Sequence, residues 1–320
     1  MSSPSPCILV VGATGNTGVG VVHTLVDSIR SSSRFANHRI VGLTRDAQSQ
    51  GALSLSALPG VTMMEKDWKL IDSKWLADEK VERLFIASHR GVSHFTDESL
   101  FLNQALEARV EYVVRISTTR RNIGPTTPVF YARNHWAIET MLEQPEFDSM
   151  GWTSLQPNGF ISLVTPALQG WLKAFRETGD DDQELKLMID GDHETALIDP
   201  VEIGNIAGKL LLLDDVSPHR SRKYNLVGPT DATGKQAVAL LEQFAKTSVK
   251  NVVYRDVSWI EYAKAAGTPE NVLSSLMLAP RAGYLGACST KNSPTSPEII
   301  ELCPLKNGGL EMWREALAGM

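Results

Sequence analysis

The sequence predicts an α/β fold built on a doubly wound parallel sheet, and three observations predict it. Short apolar runs recur through the first half of the chain, at 7–11, 40–43, 61–64, 83–87, 112–116 and 152–155, with helical stretches between them. Alternation of that kind returns each strand parallel to the one before it. Several runs are continuously apolar, as strands covered on both faces must be. The first of them, Ile8-Leu9-Val10-Val11, breaks directly into a glycine-rich turn and then into a helix whose apolar stripe carries Val19, Val22, Leu25 and Val26. Right-handed crossovers in such a sheet place the ligand crevice at the C-terminal ends of the strands, so the functional residues are expected just after each run.

The turn reads Gly12-Ala13-Thr14-Gly15-Asn16-Thr17-Gly18. Glycine lets backbone N–H groups approach an anion, and the start of a helix favours negative charge, so strand, turn and helix together form a phosphate cradle of the Rossmann type. The spacing is G-x-x-G-x-x-G rather than the more familiar G-x-G-x-x-G. The expected ligand is a dinucleotide, held by Gly12, Thr14, Gly15, Asn16, Thr17 and Gly18.

After the second run stand Thr44 and Arg45. An acidic residue here would bond the 2′-hydroxyl of NAD, whereas an arginine fork suits a 2′-phosphate, so NADP(H) is expected, with Asp46 next door as the contrary signal. After the third run, Asp67 is placed to accept from an adenine amino group and Trp68 to offer a flat apolar surface. After the fourth, Ala87-Ser88-His89 lies where small residues let a nicotinamide-side ribose and phosphates pass close to the backbone. The alternative for His89 is a solvated loop histidine.

After the fifth run come Ser117-Thr118-Thr119, a Gly/Pro loop and a helix entered at Phe130. Residues four apart share a helix face, so Tyr131, His135 and Glu139 align along one edge of the crevice. A tyrosine hydroxyl can deliver a proton as hydride reaches carbon, a histidine beside it can tune or relay that proton, and Ser117 can orient the polar group of a substrate. The alternative is that Tyr131 and His135 only pack and hydrogen-bond.

Composition excludes other classes. The net charge of −6, from 31 Lys and Arg against 37 Asp and Glu, comes without any basic cluster and argues against direct nucleic-acid binding. Cys7, Cys288 and Cys303 are too few and too scattered for a disulfide framework or a zinc site, residues 1–6 lack an apolar signal core, and no apolar run is long enough to span a membrane. A cytoplasmic protein is expected, with no membrane contact and a hydrophobic small molecule as partner; the oligomeric state is left open. No G-x-S-x-G, H-E-x-x-H or paired-cysteine motif occurs, the glycine turn lacks the P-loop lysine, and His89 and His94, five apart on an expected loop, are a poor frame for a metal. No metal is expected.

The chain of 320 residues suits a nucleotide-binding domain over 1–158 and a smaller α+β part over 159–320 that mainly covers the substrate and is interleaved with the first. In that second half a helix is expected at 160–175, ended by Gly179 and the solvated run Asp180-Asp181-Asp182, which lacks the ligand pattern of a calcium loop. Another is expected at 200–213, with Asp199 as its cap and Pro200 in its first turn. Strands at 223–227 and 251–257, with a helix at 235–244 between them, are expected to form a small accessory layer. Residues 259–286 read as helical, where Leu273, Leu276, Met277, Leu278 and Tyr284 offer either a core stripe or a wall for a bulky ligand. A last helix surrounds Trp313.

These residues carry a resemblance. The run 12–18, Thr44-Arg45, Asp67-Trp68, Glu111-Tyr112-Val113-Val114 leading to Ser117, the helix through His135 and Glu139, Leu155-Gln156-Pro157-Asn158-Gly159-Phe160, and Leu197-Ile198-Asp199-Pro200-Val201-Glu202-Ile203 together resemble the NmrA-like family, an atypical branch of the short-chain dehydrogenase/reductase superfamily. The resemblance implies NADP(H) binding, with Pro157, Asn158, Phe160 and His135 added to the cofactor set. It also implies one of two activities. Members include reductases of quinones and of iminium or enone intermediates in fungal alkaloid pathways, and redox sensors that bind NADP(H) without turnover. One departure matters: the superfamily pattern is Tyr-x-x-x-Lys, and here it reads Tyr131-x-x-x-His135. A lysine bonds the nicotinamide ribose and lowers the tyrosine pKa by its charge, which a histidine neutral at pH 7 does not do. The expectation is therefore an NADPH-dependent oxidoreductase of a hydrophobic polycyclic secondary metabolite, an iminium or conjugated carbonyl, with redox-coupled cyclisation in the pocket as an extension. The alternative is a catalytically silent NADP(H) sensor that binds a regulatory protein.

Overall fold

The computed structural model describes residues 4–320. Its strands are Cys7–Val11 (β1), Arg39–Thr44 (β2), Val61–Glu65 (β3), Val81–Ile86 (β4), Tyr112–Ile116 (β5), Gly151–Pro157 (β6), Glu184–Leu187 (β7), Arg222–Leu226 (β8) and Asn251–Tyr254 (β9). Seven of them form one parallel sheet in the order β3-β2-β1-β4-β5-β6-β8. The order reverses between β1 and β4, which opens a crevice beyond their C-terminal ends, as the doubly wound topology requires.

Helices Gly18–Ser28 (α1), Gln50–Ser56 (α2), Ser73–Asp78 (α3), His94–Glu107 (α4) and Phe130–Leu142 (α5) follow the first five strands. The remaining helices are Thr165–Thr178 (α6), Pro200–Leu211 (α7), Gly234–Ala245 (α8), Ile260–Ala265 (α9), Glu270–Leu276 (α10), Arg281–Tyr284 (α11), Pro297–Leu302 (α12) and Gly309–Ala318 (α13). Successive side chains of β1 point to opposite faces. Ile8 and Val10 join α1 and α7 in one core, while Cys7, Leu9 and Val11 join Phe101 and Leu102 of α4 and Ile138 of α5 in another. A third core lies apart from the sheet, where α6, α8 and α13 pack over β7 and β9.

The local signals of the second half hold at several points. Asp199 accepts from the Val201 N–H at 2.9 Å and caps α7, with Pro200 in its first turn. Gly179 ends α6 at φ +71°, a conformation that other residues adopt at a cost.

Three expectations are corrected. Residues 223–227 belong to no accessory layer: β8 pairs with β6 as the seventh strand of the main sheet, and Tyr224, Asn225 and Leu226 are buried as that position demands. The partner of β9 is instead β7, whose alternation of exposed and buried residues marks a half-covered strand. The helix expected from 160 begins only at Thr165, because Pro166 fits the first turn and no later one, and Ile161–Leu163 form a separate 3-10 turn. No helix among the described residues is long and apolar enough to cross a membrane.

Candidate functional site

The glycine turn sits at the mouth of the crevice. Gly12 has φ +80°, and a Cβ there would lie 3.1 Å from the Ala87 carbonyl oxygen after β4. At Gly18 a Cβ would lie 2.0 Å from the Gly12 oxygen, so only glycine lets the turn close on itself and start α1. Thr17, the residue before α1, makes no side-chain cap, and the first turn of α1 holds no acidic residue. The Val19 and Val21 N–H groups donate to the Gly15 and Thr17 carbonyls, each at 3.2 Å, and no side chain competes with an outside anion for the start of the helix. Thr14 is half-buried beside the turn, while Gly15 and Asn16 are exposed. The turn is braced from below by α7: a Cβ on Gly20 would lie 2.5 Å from the Val201 oxygen, and one on Gly204 2.2 Å from the Thr17 oxygen.

At the end of β2 the Thr44 hydroxyl donates to the Asp46 carbonyl at 3.0 Å. The Asp46 carboxylate accepts from the Gln48 N–H at 2.8 Å rather than pairing with Arg45, and Arg45 stands exposed. Asp67, exposed after β3, caps the short turn Trp68–Leu70 through the Lys69 N–H at 3.1 Å. Trp68 is half-buried, edge-on to Phe101 at 5.5 Å and 6.1 Å from His89. His89 is held in place: its Nδ1 accepts from the Gly91 N–H at 2.9 Å, so Nε2 carries the proton and donates to Asp97 at 2.7 Å.

Tyr131, His135 and Glu139 do share a buried face of α5. That face meets a polar network that sequence reasoning missed. Arg115 of β5 and Glu98 of α4 are fully buried, and Arg115 Nε donates to Glu98 at 2.6 Å. Glu98 also accepts from Ser88 at 2.6 Å and lies 2.8 Å from His94 Nε2. Arg115 donates to Ser154 at 2.9 Å and contacts His135 Nδ1 at 2.9 Å. Glu139 accepts from Ser154 at 2.7 Å and from Gln156 at 3.0 Å. Ser88 thus turns its hydroxyl inward to Glu98 and His94. His94 is not on a loop but is the first residue of α4, buried.

The electrostatics follow from this packing. Burial would raise the Glu98 carboxyl, but the Arg115 charge and the bonds from His94 and Arg115 hold it well below the usual range. Burial, then the charges of Arg115 and His94, push His135 well below the ordinary histidine value. Burial raises Tyr131, with the Arg90 charge and the Thr118 hydroxyl pulling the other way. One ligand atom from each of His94, Glu98 and His135 lies within 4.8 Å of the others. The Arg115 guanidinium already contacts both Glu98 and His135, so the place of a metal ion is held by an organic cation.

Ser117, at the end of β5, is buried and its hydroxyl has no partner. An orphan buried hydroxyl at the end of a central strand calls for a partner. At the start of α5, Leu276, Leu278 and Ala279 pack on Val129, Tyr131 and Ala132, and Ser275 clasps the helix by donating to the Pro128 carbonyl and accepting from the Phe130 N–H. The segment after β6 is tied to its neighbours. Asn158 donates to the Ala196 and Cys288 carbonyls at 2.8 and 3.1 Å, Phe160 bridges to Ile198, and Pro157 closes β6, buried. A cavity of about 610 Å³ lined by Arg34, Arg83, Arg109 and Glu111 lies at the opposite, N-terminal end of the strands, away from these residues.

A Rossmann-type α/β fold with its crevice lined in this way defines the class. No family model matches the chain, and no curated protein matches it by sequence. Among solved structures, the chain is similar to an NADPH-dependent quinone oxidoreductase from Escherichia coli complexed with NADPH, at 21% identity and TM-score 0.64 over 92% of this chain and 98% of that one. It is similar to a triphenylmethane reductase from Citrobacter sp. complexed with NADP(H), at 20% identity and TM-score 0.66 over 97% and 99%. It is also similar to NmrA, a negative transcriptional regulator in complex with NAD, at 13% identity and TM-score 0.68 over 99% and 96%. The shared property is the fold.

Proposed function

We propose that the protein is an NADP(H)-dependent oxidoreductase of the NmrA-like type. The observation that carries this reading is the cradle: Gly12 at φ +80°, Gly18 with no room for a Cβ, an uncapped α1, and an exposed Arg45 released by Asp46 at the end of β2. In this reading Gly12, Thr14, Gly15, Asn16, Thr17 and Gly18 hold the pyrophosphate, Thr44 and Arg45 the 2′-phosphate, Asp67 and Trp68 the adenine, and Ala87, Ser88 and His89 the nicotinamide-side ribose by their backbone. When bound, the nicotinamide supplies a hydride equivalent.

The substrate's polar group reaches the Ser117 hydroxyl, and its apolar body rests on the wall of Leu276, Leu278 and Ala279 beside Tyr131. We assign the substrate to the hydrophobic, polycyclic iminium or conjugated-carbonyl compounds of secondary metabolism. A carbonyl needs a proton besides the hydride, and Tyr131, kept protonated by burial, is the donor. An iminium needs only the hydride, which neutralises it. The same shaped wall would steer a cyclisation of the reduced product by orientation alone. Residues 1–158 act as the cofactor domain and 159–320 mainly as the substrate cover. Three free cysteines fit a reducing cytoplasm.

The absence of a cationic partner for Tyr131 at position 135 favours one other reading, a silent NADP(H) sensor. The test is loss of reduced-nicotinamide absorbance against a panel of iminium, enone and quinone compounds. Turnover that disappears in Tyr131→Phe with cofactor binding kept supports the enzyme. Binding without turnover on every compound supports the sensor.

A further inference from the structure

Arg115 stands in the middle of an apolar strand, and its position is determined from every side. It is fully buried; Nε bonds Glu98, one terminal nitrogen bonds Ser154 and lies 3.6 Å from Glu139, and the other reaches His135 Nδ1 at 2.9 Å. A guanidinium has only donors. The imidazole nitrogen that faces it must therefore be the acceptor, and a proton on Nδ1 would set two donors and two positive charges against each other at hydrogen-bond distance.

We propose that Arg115 is a positioning residue that locks His135 in its Nε2–H tautomer, so that the imidazole offers the site one fixed hydrogen-bond donor and no charge. The proposal rests on the reading of α5 as the catalytic edge of an NADP(H) site. It accounts for histidine at this position. A lysine four residues after Tyr131 would bring an ammonium beside the buried Arg115, with Glu98 and Glu139 already engaged. A neutral imidazole donates to a ribose hydroxyl or a substrate oxygen without that repulsion. It also leaves Tyr131 without a cation at position 135, and burial outweighs the Arg90 charge, so the phenol stays an acid rather than a preformed phenolate.

The groups that face His135 agree. On α4, His94 lies edge-on at 4.5 Å and, if charged, opposes a charge on His135, while Glu98 alone would favour one and is held by Arg115. Arg90, from the loop before α4, also opposes it. On α5 itself, Tyr131 stands edge-on at 6.4 Å, and Glu139 is occupied by Ser154 and Gln156. From β5 the facing group is Arg115, and from β6 the hydroxyl of Ser154 that joins Arg115 to Glu139.

The experiment is long-range proton–nitrogen spectroscopy of the full-length protein labelled with nitrogen-15 histidine, between about pH 5 and 8, the window in which an ordinary histidine titrates. His135→Gln assigns the signal. The expected result is a single neutral tautomer with the proton on Nε2 at every pH. In Arg115→Met combined with Glu98→Gln, which removes both members of that pair and leaves Glu139 held by Ser154 and Gln156, the second tautomer appears; in Arg115→Lys, where an ammonium still donates to Nδ1, it does not. A proton on Nδ1 in the unmodified protein, or an unchanged single tautomer in the double variant, overturns the proposal. The unmodified protein decides the first point even if a variant fails to fold. NADPH affinity measured on the same sample separates the two claims, since the expected tautomer without cofactor binding would sink the functional reading and leave the positioning role in place.

Discussion

Gly204 of α7 faces the Thr17 carbonyl so closely that a Cβ at 204 would lie 2.2 Å from that oxygen. A helix from the second half of the chain therefore braces the turn that opens α1. Neither the oxygen nor the helix backbone can yield as a flexible side chain would. Gly204→Ala is expected to cost about 1–3 kcal/mol of stability through overpacking and to weaken NADPH binding by displacing Thr17. Denaturant unfolding and calorimetry check the two effects. Gly124→Ala, where a Cβ meets nothing within 4 Å, serves as the control and should change stability by less than about 0.5 kcal/mol.

Arg45 sets the choice between the two nicotinamide cofactors. Because Asp46 turns to Gln48, the guanidinium is free to take a 2′-phosphate. A charge-assisted bond of about 1.5–3 kcal/mol corresponds to roughly a 10- to 150-fold affinity change. Arg45→Ala should weaken NADPH by that factor and leave NADH binding unchanged, read by calorimetry with each cofactor.

Tyr131→Phe tests the proton donor. General acid catalysis contributes about 10²–10⁴-fold, and turnover of a carbonyl substrate should fall by that amount with NADPH affinity unaltered. Burial raises the phenol pKa, so the alkaline limb owed to Tyr131 should lie above the ordinary value of about 10. An iminium substrate should be far less affected.

How much of this was legible follows from what each residue faces. Strand β1 is readable because a strand covered on both faces must be continuously apolar, and β3, with no buried residue, only by its place in the alternation of strands and helices; the turn at 12–18 is readable because an apolar strand breaks there into glycines. β7 escaped notice as four residues, Glu-Leu-Lys-Leu, too short for a pattern. The position of β8 depends on which edge it pairs with, which apolarity does not encode. Arg115 carried a signal that could have been used, a charge inside Tyr-Val-Val-Arg-Ile, since a buried arginine demands partners. Those partners, Glu98 and His135, come from two helices and could not be matched without the fold. The carbonyls that take the Asn158 amide belong to Ala196 and Cys288, the second 130 residues away in sequence, and no local pattern announces such partners.

The depressed His135 pKa makes a statement about stability. The folded state keeps this ring neutral, whereas the unfolded chain takes up a proton below about 6.5. The contribution is fully present above pH 6.5 and is lost as pH falls from there toward the folded value, with a slope of up to about 1.4 kcal/mol per pH unit. His135→Gln should flatten the stability profile between about pH 6.5 and 5, measured by urea unfolding across that range. An unchanged slope would mean that His135 takes up its proton in the fold at the same pH as in the unfolded chain.

The central claim is that the turn 12–18 with Arg45 binds NADP(H). The most direct measurement is calorimetric titration of NADPH and NADH into the full-length protein. The account predicts saturable binding of NADPH, tighter than that of NADH. Absence of heat with either cofactor, or a preference for NADH, would contradict it.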